Sequence, residues 1–109
     1  MTVTPKQLIA PSFLPTAISS PLYTTTTLTQ LTSIILSNVT SDNSNCSYTL
    51  YVGGSGLNNA IFGNNVTVAP GEVVNYMMAV TLPSGTNIYG TATTISGICI
   101  HMSGVEYTE

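Results

Sequence analysis

Hydrophobic and polar residues alternate along most of this chain, a pattern typical of β-strands that bury one face. The clearest run is 47–52, in which every second residue from Tyr48 to Val52 is large and apolar. Turns rich in glycine, proline and asparagine separate the runs, for example at 53–56 and 83–86. The predicted strands are 22–27, 28–39, 47–52, 65–68, 72–82, 87–94 and 98–107.

The spacing of these strands predicts the fold class. Short strands that recur roughly every 8 to 12 residues, with turn residues between them, are typical of a sandwich. No stretch places apolar residues at helical spacing between capping residues. We therefore expect an all-β protein, an antiparallel β-sandwich of jelly-roll-like or immunoglobulin-like type over residues 21–109.

Residues 1–20 carry a different pattern and form a predicted N-terminal arm. Pro5, Pro11 and Pro15 disfavour both a helix and a paired central strand, so we expect the arm to run extended. Its apolar side chains then need cover, and the sequence supports the chain's own domain and a neighbouring subunit equally. The second alternative predicts that deletion of residues 1–18 leaves a folded sandwich. Its predicted contact residues are Leu8, Ile9, Phe13, Leu14 and Ile18.

The chain is unusually poor in charge, with 5% charged residues against about 25% in ordinary soluble domains. Lys6 is the single cation and four acids give a net charge of −3. Nucleic-acid binding needs several basic residues against phosphates, and a membrane-surface helix needs a basic face, so we expect neither. The first ten residues lack the apolar segment of a secretory signal, which predicts synthesis in the cytosol or prior removal of a signal.

Few residues are available for catalysis, metal binding or redox chemistry. Cys99, His101 and Ser103 would share one face of the last predicted strand. A metal site or a nucleophile and base needs further groups that the scattered acids do not supply. We therefore expect no enzymatic activity, no cofactor and no metal. Cys46 and Cys99 are expected to remain thiols, with a disulfide as the alternative. The six tyrosines are interpreted as sheet and interface residues, with a sugar-stacking platform as the alternative.

The stretch 21–107 resembles small structural proteins encoded by tailed bacteriophages. Five short motifs carry the resemblance: Leu22–Thr24 (LYT), Ile34–Thr40 (IILSNVT), Thr49–Gly54 (TLYVGG), the hairpin Val68–Gly90 with its APGE turn, and Ser103–Tyr107 (SGVEY). The chain departs from the family pattern at Thr24–Thr27, where the family usually carries a proline–alanine–glycine turn.

The resemblance implies a virion component that is assembled in the host cytoplasm. One alternative is a capsid decoration or cement protein, whose partner is the major capsid protein or another virion protein and which forms a dimer or trimer. Another is a tail, collar or fibre-associated module that contacts host surface glycans. A secreted adhesin or an enzyme fragment remains a third alternative from the residues alone. The resemblance implies no catalytic residues, and the low charge agrees with a protein whose faces are buried against other proteins.

Overall fold

The structure, a computed structural model, describes residues 1–18 and 20–108; strands make up 58% of it, and a single 3-10 turn, Leu57–Asn59, lies between the fourth and fifth strands. The strands are β1 (Thr2–Phe13), β2 (Tyr23–Thr24), β3 (Leu28–Asn38), β4 (Cys46–Val52), β5 (Val66–Val68), β6 (Val73–Leu82), β7 (Asn87–Ala92) and β8 (Ile98–Thr108). The first sheet has the order β1-β8-β3-β6 and the second the order β2-β7-β4-β5. Both sheets are antiparallel, and their apolar inner faces pack into one core.

The predicted all-β sandwich is confirmed. Each predicted strand has a counterpart, and β2 differs most because only Tyr23 and Thr24 pair with β7. Thr25 instead turns its hydroxyl toward the next hairpin, where it donates to the Pro83 carbonyl at 2.7 Å and accepts the Thr86 N–H at 2.8 Å. The Thr25 N–H also donates to the Thr86 carbonyl at 2.9 Å, so the backbone and the buried hydroxyl of Thr25 together hold this hairpin. None of the described residues belongs to a helix long and apolar enough to cross a membrane.

The N-terminal segment forms a strand, β1, that pairs antiparallel with β8 at one edge of the first sheet. The segment is extended and is not a central strand, as predicted, but its prolines do not prevent it from pairing with β8 at the edge of the sheet. An edge strand has a neighbour on one side only, so half of its N–H groups need no partner in the sheet and proline is tolerated. Pro11 falls where the pairing register shifts, between Ile9 and Ser12.

Three of the five predicted contact residues lie in the protein's own core. Leu8, Ile9 and Leu14 are buried among the apolar side chains of the two sheets. The hypothesis that these three contact a neighbouring subunit is therefore corrected, because the chain's own sheets already cover them. Phe13 and Ile18 remain exposed, at 55% and 39%.

The segment that follows β1 also joins the two sheets through the backbone. The Leu14 N–H donates to the Ile98 carbonyl of the first sheet at 2.9 Å, and Pro15 accepts the Ala92 N–H of the second sheet at 2.8 Å. Removal of residues 1–18 would delete these bonds together with three buried side chains. We therefore expect that deletion to unfold the sandwich, contrary to the alternative in which the arm contacts a neighbouring subunit.

Glu106 links three strands at one edge of the sandwich. Its carboxylate accepts the Tyr23 hydroxyl at 3.0 Å and forms an ion pair with the Lys6 ammonium at 3.3 Å. Tyr23 belongs to the second sheet, whereas Lys6 and Glu106 belong to the first. Burial, the hydrogen bond to Glu106 and the charge of that carboxylate raise the pKa of Tyr23 to about 12.

A pair of adjacent substitutions tests the place of the N-terminal segment in the core. Leu14→Ala removes a side chain that is 1% exposed, so we expect the free energy of unfolding to fall by about 2–5 kcal/mol. Phe13→Ala is the control, since its half-exposed side chain predicts a change of about 0.5 kcal/mol. Urea denaturation followed by circular dichroism measures both. Equal small effects would show that the segment does not complete the core.

A pH series tests the Tyr23–Glu106 hydrogen bond. Because the folded state raises the pKa of Tyr23 above its unfolded value, its contribution is fully present below pH 10 and is lost between pH 10 and 12. We expect Tyr23→Phe to lower the free energy of unfolding by about 1 kcal/mol at pH 7. The difference between wild type and variant should vanish near pH 12. A difference that stays constant across this range would contradict the assignment.

Candidate interaction surfaces

The outer face of the first sheet carries no lysine, arginine or carboxylate side chain in the described strands, and we call it the neutral face. It consists of the odd-numbered residues 33–37 of β3, 73–81 of β6 and 99–107 of β8, with Leu28 and Gln30 of β3 and Val3, Pro5, Gln7 and Phe13 of β1. The Lys6–Glu106 pair lies on the other side of the sheet, because Lys6 is opposite the buried Gly104. Ser19 and Glu109 lie outside the described residues.

Several large apolar side chains are exposed on the neutral face and take no part in the core. Met77 is 78% exposed, Val73 60% and Phe13 55%. Ile35 lies between them on β3, opposite Asn75 on one side and His101 on the other. A contiguous patch of exposed apolar side chains often marks a contact with another protein.

His101 lies in a shallow depression of about 480 Å³ on this face, between β1 and β8. Cys99 and Ser103 share its face of β8, as predicted from the alternation. The Ser103 hydroxyl is already engaged with the Ser33 hydroxyl at 2.6 Å. Within residues 1–18 and 20–108, no three His, Cys, Asp or Glu side chains come together in a group that could hold a metal ion. Lys6 and His101 line the depression together with uncharged residues, and no carboxylate of the described residues does.

A second depression, of about 430 Å³, lies at one end of the sandwich, where Phe13 meets the turns that follow β3 and β7. Val39 and Ile95 line it and are exposed, at 47% and 78%. Asp42 supplies its single charge, and the hydrogen bond from the Ser44 hydroxyl at 2.6 Å lowers the pKa of this carboxyl. This cluster was not predicted from the sequence. Its signal was the presence of large apolar residues inside segments otherwise made of turn formers.

The outer face of the second sheet has a different chemistry, and we call it the hydroxyl face. Tyr51 of β4 and Tyr89 of β7 are directly opposite each other and half-buried. Thr49 and Thr91 form the neighbouring pair. This face therefore presents two adjacent aromatic rings among hydroxyl groups, as a sugar-stacking platform requires.

The two cysteines are free thiols, as predicted, and the fold separates them. Cys46 is buried on the inner face of β4, where its sulfur packs against Gly97. Cys99 is half-buried on the outer face of β8, opposite Phe13 and Ser37. A disulfide would require one of the two side chains to pass through a sheet.

Thiol labelling distinguishes the two environments. We expect native protein to take up one equivalent of a thiol reagent, at Cys99, because Cys46 has 1% exposure. Unfolding in denaturant without reductant should release the second equivalent. The control Cys99→Ser should take up no label while folded. Complete absence of label in the unfolded, unreduced protein would demonstrate a disulfide and contradict the structure.

Comparison with known proteins does not assign the chain to a family. No protein-family model matches it, and no curated protein is significantly similar to it in sequence. Function is therefore inferred from the neutral face, the hydroxyl face and the motifs within 21–107.

Proposed function

We propose that this chain is a non-enzymatic structural protein of a tailed-bacteriophage virion, a capsid decoration or cement protein that binds and stabilises the head shell. Its partner is the major capsid protein or another virion protein, and it acts as a dimer or trimer. It needs no cofactor and binds neither nucleic acid nor membrane. The observation that carries the proposal is the neutral face, together with the resemblance of the motifs within 21–107 to phage structural proteins.

The chemistry of the neutral face favours burial against another protein. Burial of an ionised side chain requires loss of its hydration shell, which is unfavourable without a matched counter-ion. Serine, threonine and asparagine can exchange hydrogen bonds with water for hydrogen bonds with a partner. The exposed Met77, Val73 and Phe13 add apolar area at about 25 cal/mol per Å² buried. Burial of this apolar area stabilises the complex, and desolvation of the uncharged polar groups costs little.

The same properties disfavour an enzyme. The depression around His101 contains neither a carboxylate to orient the ring nor an activated nucleophile among its lining residues. General acid–base and nucleophilic catalysis both need such a second group within hydrogen-bond reach. Docking against another protein uses the whole neutral face and does not need a second catalytic group.

A second function is favoured by the hydroxyl face. Tyr51 and Tyr89 provide adjacent rings, and the surrounding hydroxyls provide neutral donors and acceptors of the kind that bind sugars. The alternative proposal is therefore a tail, collar or fibre-associated module that contacts host surface glycans through this face.

Two substitutions, one on an inner strand of each sheet, test which of the two faces binds the particle. Ile35→Lys places a charge at the centre of the neutral face, and Thr91→Lys places one on the central strand of the second sheet. For a cement protein we expect Ile35→Lys to reduce occupancy on particles of the encoding phage at least tenfold, since desolvation of the lysine exceeds about 1.4 kcal/mol. Thr91→Lys should bind normally. Quantitative mass spectrometry of purified particles measures both.

The copy number in the same particles tests the location. Hundreds of copies per particle are expected for a head-shell protein, whereas a few to a few dozen would assign the chain to the tail or a fibre. Loss of glycan-array binding in Thr91→Lys, with Ile35→Lys unaffected, would establish the alternative. Absence of the chain from purified particles would refute both.

A further inference from the structure

The four edges of the two sheets are not equally protected against pairing with another strand. β2 and β5 are two and three residues long, which is too short to offer much backbone. β1 is long, but it carries Pro5, Lys6 and Pro11 and two shifts of register. Prolines, charges and irregularities of this kind are the usual devices that block edge pairing.

β6 is the exception. It has ten residues, Val73–Leu82, and none of them is proline or charged. Its one irregularity lies in the pairing with β3, where the single residue Thr32 is opposite Met78 and Ala79. The part from 73 to 77 is therefore a regular, uncharged and unpaired edge.

The hydrogen bonds to β3 determine which groups of β6 point away from the sheet. The Asn38 N–H donates to the Glu72 carbonyl at 3.1 Å, which sets the phase of the antiparallel ladder. In such a ladder every second residue bonds to the neighbour, so 74 and 76 face β3. The N–H and C=O groups of Val73, Asn75 and Met77 therefore point outward from the edge.

We propose that β6 pairs antiparallel with β6 of a second copy of this chain, around a two-fold axis at Asn75. Asn75 is then opposite Asn75 of the second copy, and Val73 is opposite Met77 of the second copy. The outward N–H and C=O groups of the two strands form up to about six backbone hydrogen bonds. The two sheets join into one continuous sheet of eight strands.

The occupant is a second copy because the edge is complementary to itself. The two most exposed apolar side chains of β6 are Met77, at 78%, and Val73, at 60%. In this register Met77 of each copy covers Val73 of the other copy, so the contact forms once on each side of the two-fold axis. The chain has a net charge of −3, so two copies repel overall, but no charge lies within the paired window. Glu72, at its border, directs its carboxylate to the Ala69 N–H at 3.2 Å.

The pairing closes as a dimer. Each copy contributes one unprotected edge, and the opposite edge of the joined sheet is β1, with its prolines. In the dimer the neutral faces of the two copies form one continuous surface. Two linked binding faces attach to a repetitive shell more tightly than a single one. The inference rests on the homo-oligomer part of the proposed function and specifies its symmetry and contact.

A charge at the two-fold axis tests the dimer. In Asn75→Lys the two lysines lie directly opposite each other, so we expect the dissociation constant to rise at least tenfold. Thr81→Lys is the control, because Thr81 is exposed on the same face of the same strand but lies beyond the paired window. Sedimentation velocity over a range of concentrations should show wild type and control at twice the 11.4 kDa chain mass. Circular dichroism verifies that both variants are folded.

A cysteine pair tests the register without relying on repulsion. Opposite residues that exchange backbone hydrogen bonds have Cα atoms about 5.5 Å apart, which suits a disulfide. In a Cys99→Ser background, Asn75→Cys should give a covalent dimer on mild oxidation, and Thr81→Cys should not.

The outcomes separate this inference from the proposed function. A chain that remains monomeric at all concentrations refutes both the dimer and the homo-oligomer. An oligomer that Asn75→Lys leaves intact and Asn75→Cys does not cross-link refutes the β6 contact but keeps the homo-oligomer. Unchanged head occupancy in Ile35→Lys, with a dimer still present, contradicts the proposed docking through the neutral face and leaves the dimer inference standing.

Discussion

Unpaired strand edges are the constraint on which the rest of this structure depends. Every strand carries N–H and C=O groups that need partners, and a sandwich of two open sheets leaves four edges. The N-terminal segment meets this need on one side: β1 covers β8, and Leu14 and Pro15 then bond to Ile98 and Ala92 in the two sheets. A segment rich in proline serves well here, because its own outer edge is left poor in donors.

Inside the sandwich, uncharged polar side chains make the hydrogen bonds that connect the strands and the two sheets. Asn38 is buried where β3 ends, and its amide donates to the Ser44 carbonyl at 2.9 Å and to the Val68 carbonyl at 2.7 Å. Tyr48 and Tyr76 join the two sheets through hydroxyl groups 2.5 Å apart. Burial and this hydrogen bond raise the pKa of Tyr48. Among the described residues, no buried side-chain nitrogen or oxygen lacks a partner.

The near absence of charge therefore affects the inside and the outside of the molecule alike. Internal polar groups are satisfied without ions, and the single lysine is committed to Glu106 at the edge. The neutral face is left free of ions that a partner would have to match. The unprotected β6 edge borders this face, so a partner strand at that edge extends the surface instead of obstructing it.

Local pattern was sufficient to predict much of the fold. Alternation and turn residues placed seven strands and put Cys99, His101 and Ser103 on one face of the last strand, because side-chain direction in a strand follows from position alone. The neutral chemistry of the surfaces also followed directly from the composition.

Only the tertiary structure determined which strands pair and which side chains pack together. Proline disfavours a central strand but is tolerated at an edge, and no local pattern tells which of these positions a segment will occupy. Only the packed sheets show that Leu8, Ile9 and Leu14 fill the chain's own core, while Phe13 joins Val39 and Ile95 at one end. Strand order likewise decides that β6 is left open, since the edge of a sheet is a property of pairings between residues far apart in sequence.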